Sequence, residues 1–220
     1  MDLPPGHPEE GTGRICRLRK AIYGLKQSPR AWYSKLSNAL EKGNFVKCAS
    51  DHSLFIRRSG KVTTIVLIYV DDIIVTGNVT EEIIKTKNYL MNTFGIKDLG
   101  KLRYFLGIEI ARSSKGINLS QRKYAMDILK DAKMTDCKPI DTPIDPYSKL
   151  GLCHDEPNTD KRRFQQLVGN LIYLSATRPD ISYAVNIVSR FMQNPKTSHM
   201  NDVIRVLRNI KGTLGQGLWF

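Results

Sequence analysis

Residues 65–76 read Ile-Val-Leu-Ile-Tyr-Val-Asp-Asp-Ile-Ile-Val-Thr, with two adjacent carboxylates, Asp71 and Asp72, set between two apolar, β-branched runs. Charge inside such a run is costly unless the chain turns there and a cation meets it. The stretch therefore predicts a hairpin of two strands, buried on both faces, whose tip holds both aspartates. Two anions side by side repel unless protonated or neutralised. The plain alternative is a turn that happens to use Asp, a residue tight turns favour. Against it stands the tyrosine two positions earlier, which completes Tyr69-Val70-Asp71-Asp72.

The rest of the chain is cationic: 34 Lys+Arg against 21 Asp+Glu give a formal net charge of +13 over 220 residues. Such an excess attracts polyanions, nucleic acid first and an anionic membrane surface second. No run approaches the ~20 apolar residues of a membrane span, and the opening Met1-Asp2-Leu3-Pro4-Pro5-Gly6-His7 lacks the pattern of a secretion signal. An intracellular protein is expected, cytoplasm and nucleus being indistinguishable. Cys16, Cys48, Cys137 and Cys153 lie far apart with no C-x-x-C pair, so a zinc site built on Cys153-His154 is disfavoured and free, mostly buried thiols are expected.

The charge is unevenly placed. Arg14, Arg17, Arg19, Lys20, Lys26, Arg30 and Lys35 succeed one another with no acidic residue between them, and Tyr23, Gly24, Trp32 and Tyr33 are interleaved. A solvated helix face is the usual meaning of a charge run. Basic and aromatic groups together suit phosphate contact and base stacking, although Trp32 shares a face with Leu36 and Leu40 and reads as helix packing. Of the four histidines none shows partner spacing.

Residues 1–13, with three prolines and three glycines, read as a loose lead-in. Ser28-Pro29 starts a helix with Ser as N-cap, and Gly43 stops it. Strands are expected at about 53–57, 62–70 and 73–76, then a helix capped by Thr80, with Ile83, Ile84, Leu90 and Met91 inward, ending at Gly95. A second hairpin spans 101–110 and 117–119, followed by a helix from Ser120 to about Lys133. Residues 134–159 carry Pro139, Pro143, Pro146 and Pro157 and read as an irregular connection. The remainder is helical at about 160–177, 180–193 and 199–211, with breaks at Arg178-Pro179 and Asn194-Pro195. Tyr173 and Tyr183 fall at core spacing. Arg178, Arg205, Arg208 and Lys211 line either a nucleic-acid face or a solvated one. A sheet-and-helix half before an all-helical half is the α+β pattern.

Other machines place acids at a strand end. Gly95-Ile96-Lys97-Asp98-Leu99-Gly100-Lys101-Leu102 mimics a P-loop but offers Leu where Ser or Thr binds magnesium, and it follows the aspartates. A phosphoryl-accepting receiver domain needs alternating parallel units, which the helical second half contradicts. Tyr-x-Asp-Asp on a hairpin instead matches the third conserved block of reverse transcriptases. Leu18 to Tyr33 resembles the second block of copia-type long-terminal-repeat retrotransposon reverse transcriptases. Phe94 to Gly100 resembles the fourth, Leu102 to Ile110 the primer-gripping hairpin, and Leu167 to Ile181 the first thumb helices.

The resemblance implies a partial palm (an antiparallel sheet packed with helices, with the primer-grip hairpin) over 14–119 and a helical thumb over 120–220, fingers and RNase H being absent. It implies RNA-directed DNA polymerisation by two Mg2+ ions, or Mn2+, about 4 Å apart, on an RNA template and a DNA primer with deoxynucleoside triphosphates. Hard cations of this kind take oxygen ligands. Asp71 and Asp72 would be metal ligands, and Tyr69 would brace the hairpin with Val70 beneath the primer terminus. Tyr23, Gly24, Lys26 and Arg30 would face the nucleotide, while Tyr104, Phe105, Leu106 and Gly107 would position the primer. The family's third carboxylate lies in a block of the form Asp-Val-x-x-Ala-Phe-Leu, and nothing of that form occurs here; Asp2, before Pro4-Pro5, is a poor substitute. An internal fragment of a polyprotein is expected, inactive alone and exposing apolar sheet edge and face unless the rest of the polyprotein completes the palm.

Overall fold

A computed structural model describes residues 2–22, 24–145, 151 and 155–220. Of the residues singled out from sequence, Met1, Tyr23, Pro146, Cys153 and His154 lie outside them. The chain forms two compact units, Met1–Gly100 and Lys101–Phe220.

In the first unit, helix α1 (Ser28–Lys42) is followed by strands β1 (Val46–Lys47), β2 (Leu54–Ser59), β3 (Val62–Tyr69) and β4 (Asp72–Gly77), then helix α2 (Thr80–Phe94). The strands form one antiparallel sheet in the order β1-β2-β3-β4. Proline in the first turn of α1 fits a position whose N–H would have no helical partner. Ser28 is not the N-cap: that place falls to Gln27, and the Ser28 hydroxyl donates to the Ile22 carbonyl at 2.6 Å. Gly43 does end the helix, but the left-handed residue is its neighbour Asn44 (φ 63°). Likewise Val79, not Thr80, precedes α2, whereas Gly95 (φ 65°) closes it through a 2.8 Å bond to the Met91 carbonyl.

Leu36 and Leu40 of α1 and Leu90 of α2 share one core with Phe55 of β2 and Val66 and Ile68 of β3. Both helices thus cover the same sheet face. Side chains alternate along a strand, so Ile65 and Leu67 point to the other face, where they stay half-buried. Burial of these strands on both faces, expected from their apolar run, is not what the structure shows. Ile84, expected inward, is 51% exposed. Cys16, Cys48 and Cys137 are free but only half-buried.

The second unit holds β5 (Tyr104–Phe105), β6 (Ile108–Ser113), β7 (Gly116–Ser120), α3 (Arg122–Asp131), α4 (Lys161–Leu174), α5 (Pro179–Ser189), α6 (Thr197–Gly212) and β8 (Gly217–Trp219). The strand expected over 101–110 is split by a turn at Leu106-Gly107, whose φ angles of 49° and 77° no strand accommodates. The end of the chain is not helical: β8 joins the antiparallel sheet β5-β6-β7-β8 by pairing with β7. That pairing ties the end of the chain to the hairpin strands within the second unit.

The four helices pack through Ile128, Leu129, Phe164, Leu171, Ile181 and Leu207, all at most 1% exposed. Asp160 caps α4 by accepting from the Arg163 N–H at 3.0 Å. Pro179 opens α5. Among the described residues no helix is long and apolar enough to cross a membrane.

Candidate functional site

The two strands that bracket the aspartates pair residue by residue from Thr64↔Gly77 to Tyr69↔Asp72. Only Val70 and Asp71 are left to make the turn. Val70 has φ 51°, a conformation that two-residue hairpins require and that β-branched residues resist. The Trp32 indole N–H of α1 donates to the Val70 carbonyl at 2.9 Å, and the indole meets the Phe94 ring edge to face at 5.3 Å between centroids. One turn further along α1, the side chains pack into the core of the unit. The second turn of the helix is thereby fastened to the carboxylate-bearing turn.

Asp71 and Asp72 are exposed, and neither makes an ion pair or side-chain hydrogen bond with the described residues. Their oxygens are the hard donors that Mg2+ accepts beside phosphate and water. Among the described residues no group of three or more His, Cys, Asp or Glu comes together to hold a metal. Asp2 makes an isolated antiparallel bridge with Ile15 and adds no third ligand. Among the described residues the pair does not by itself make a metal cage.

Gly24, Lys26 and Arg30 are exposed at the approach to α1. Gly24 has φ 91° with open space where a Cβ would stand, so glycine serves the backbone there. Of the seven basic residues between positions 14 and 35, Arg14 is the one with an ion-pair partner among the described residues, Glu9. Lys35 stands over the Phe94 ring at 5.8 Å. Trp32 and Tyr33 behave as packing residues: the Tyr33 hydroxyl donates to the His52 carbonyl at 2.6 Å.

In the second unit, Tyr104 is exposed, while Phe105, Leu106 and Gly107 are half-buried at the β5–β6 turn. The Tyr173 hydroxyl donates to the Leu106 carbonyl, and a Cβ on Gly107 would meet the Tyr173 ring at 3.6 Å. Tyr173 and Tyr183 are not core residues, being 43% and 71% exposed. Nor is Arg178 a surface cation: it is 2% exposed and bound to Asp180 and Thr213. Arg205 and Arg208 are tied back to the connection, through Thr142 Oγ1 at 2.9 Å and the Lys138 carbonyl at 2.8 Å. Sequence reasoning missed what Trp32 and Tyr173 do, because each partner lies far away along the chain and no local pattern marks it.

The profile of the family described as reverse transcriptase (RNA-dependent DNA polymerase) matches residues 1–146. Over its whole length the chain is 44% identical to part of the retrovirus-related Pol polyprotein from transposon RE1 of Arabidopsis thaliana, and equally to that from transposon RE2. It is 36% identical to part of the Pol polyprotein from transposon TNT 1-94 of Nicotiana tabacum. The chain spans 15% of the length of the first two relatives and 17% of the third. No solved structure matches it. A hairpin that turns on Tyr-Val-Asp-Asp, inside a match that covers most of the sequence, places this chain in the reverse transcriptase (RNA-dependent DNA polymerase) family, in a segment similar to part of copia-type Pol polyproteins.

Proposed function

We propose that this chain carries part of the polymerising site of an RNA-directed DNA polymerase, the first unit acting as a partial palm and the helices of the second as a thumb. The observation that carries the reading is the exposed Asp71–Asp72 pair at a tight hairpin turn, without a cationic partner among the described residues, in a chain of net charge +13. Bound Mg2+ would supply Lewis acidity toward a primer 3′-hydroxyl and charge neutralisation for the departing pyrophosphate. Asp71 and Asp72 would be the residues that hold it. Lys26 and Arg30 attract and orient the triphosphate, and the glycine backbone at Gly24, next to Tyr23, leaves room for the nucleotide to approach. Tyr69 and Val70 support the primer end from below, and the turn from Tyr104 to Gly107 positions its backbone. Template, primer and deoxynucleotides are the substrates of this reading.

The third carboxylate of the family pattern is not among these 220 residues, so turnover requires it from elsewhere in the polyprotein. Strand β4 closes the sheet order with no strand beyond it among the described residues, which leaves an edge for such a segment to pair with. The test is primer extension on an RNA template with Mg2+ or Mn2+. This chain alone is expected to give none. A longer polyprotein segment that includes an Asp-containing first block is expected to extend the primer, and Asp71→Asn or Asp72→Asn to abolish that. Extension by the longer segment that survives both substitutions would overturn the assignment.

A second reading is a nucleic-acid binder without turnover. It is favoured by the lack of a three-ligand cluster among the described residues. Its mark is affinity for primed template that falls steeply with salt and is indifferent to Mg2+ and to Asp72→Asn.

A further inference from the structure

We infer that Trp32 is a positioning residue for the Asp71–Asp72 turn: its indole N–H holds Val70 in a left-handed conformation that a β-branched residue does not keep unaided. Significance for metal binding rests on the function proposed above; the conformational claim does not.

Three observations meet here. Val70 has φ 51° at the first position of a two-residue turn, where glycine is the ordinary occupant. A non-glycine residue in such a region is strained and persists there only when its surroundings over-determine it. Val70 itself is 60% exposed, so burial of its side chain does little to hold it. A restraint from outside the turn is the 2.9 Å bond from Trp32 Nε1 to the Val70 carbonyl. The indole is in turn fixed by its edge contact with Phe94 at 5.3 Å and by α1, whose Leu36 and Leu40 are fully buried. A two-residue turn has few conformations, and those that relieve Val70 reorient the peptide between Val70 and Asp71. The direction in which the carboxylates leave the hairpin changes with it.

The second unit repeats the device independently. Leu106 (φ 49°) also opens a two-residue hairpin turn, and its carbonyl also accepts from an aromatic donor on a helix, Tyr173. In both units a non-glycine turn residue with positive φ is paired with a side-chain donor that reaches its carbonyl from a helix.

The test uses amide and indole hydrogen exchange of the 220-residue chain, followed by NMR. In the unsubstituted chain the Trp32 indole N–H is expected to exchange at least tenfold more slowly than that of Trp219, which is 62% exposed. Equal rates would remove the bond and the inference with it, and this comparison needs no variant. Trp32→Phe keeps an aromatic edge for Phe94 but deletes the donor. With one hydrogen bond lost, exchange at the Asp71 and Asp72 amides should rise roughly fivefold, while the Val66 and Leu36 amides stay unchanged.

Rescue separates positioning from packing. Glycine takes positive φ without strain, so in a Val70→Gly background Trp32→Phe should change exchange at Asp71 and Asp72 by less than about twofold. An equal effect in both backgrounds would show that the ring acts only by packing, and the inference would fall. Mn2+ affinity, followed by electron paramagnetic resonance, is read on the same samples and is expected to fall with Trp32→Phe. If Asp71→Asn and Asp72→Asn leave it unaltered, the metal reading fails while the exchange result still judges the turn.

Discussion

The Arg178 guanidinium grips Asp180 through Nε at 2.8 Å and Nη2 at 2.7 Å, and with its remaining donors reaches the Thr213 carbonyl at 3.0 Å and hydroxyl at 2.7 Å. One side chain, 2% exposed, thus joins the start of α5 to the end of α6. Planar, multi-donor geometry of this kind is arginine's alone.

Removing that side chain leaves the Thr213 carbonyl without its bond and opens a cavity between two helix ends. Arg178→Ala is expected to destabilise the second unit by about 3 kcal/mol, read as a lowered urea midpoint at unchanged slope. Arg178→Lys should recover less than half of the loss, because an ammonium cannot make the paired contact.

Acid dependence follows from two carboxylates with opposite shifts. The hydrogen bonds from Arg178 hold the Asp180 carboxyl below the usual range. Its contribution is complete above the unfolded-state value of about 4 and disappears as pH falls through the lower folded-state value. Burial pushes the Asp202 carboxyl up, against the opposing pull of His199 and Arg205 and with help from Asp145. The folded state therefore favours protonated Asp202. That preference is fully present below about pH 4 and is lost as pH rises through the folded value. Asp202→Asn should accordingly raise the urea midpoint at pH 7 and leave it unchanged at pH 3, whereas Asp180→Asn should lower it at pH 7 and matter little at pH 3.

Lys26 and Arg30 are exposed, and no described residue neutralises them. If each meets a phosphate, Lys26→Ala and Arg30→Ala should each reduce the slope of log affinity against log salt for primed template by about 1. Fluorescence anisotropy across a salt series measures it. Arg178→Ala, tested below its unfolding range, should leave the slope as it is.

A Cβ at Gly217 would collide with the Leu119 carbonyl oxygen, so a side chain there forces the backbone to shift. Gly217→Ala is expected to detach β8 from β7, with faster exchange at the Leu119 and Ser120 amides and a stability loss of about 1–3 kcal/mol. Gly215→Ala, where a Cβ meets nothing within 4 Å among the described residues, should cost little and serves as the control.

Much of the fold was legible because its signals are local. Pro29, Pro179, Gly43 and Gly95 bracket helices through the backbone freedom they remove or allow, and the apolar spacing of Leu36 and Leu40 marks a buried face. The β3–β4 hairpin was readable from two β-branched runs and a charged interruption, and the Tyr-Val-Asp-Asp motif tied that hairpin to a family. The splitting of 101–110 was less readable, since its one local sign is Gly107 beside a leucine that must itself turn left-handed.

Sequence by itself determined the six helices and the central hairpin, the acidic turn and the cationic balance, because each is written in neighbouring residues. Only the tertiary structure decided that Arg178 is an internal clasp and not a surface cation, that Tyr173 serves a turn and not the core, and that the chain's last strand pairs with β7. Only it put the indole of Trp32 on the Val70 carbonyl. Contacts between residues far apart in sequence form when packing brings them together, and periodicity along the chain carries no record of which distant donor a given carbonyl will meet.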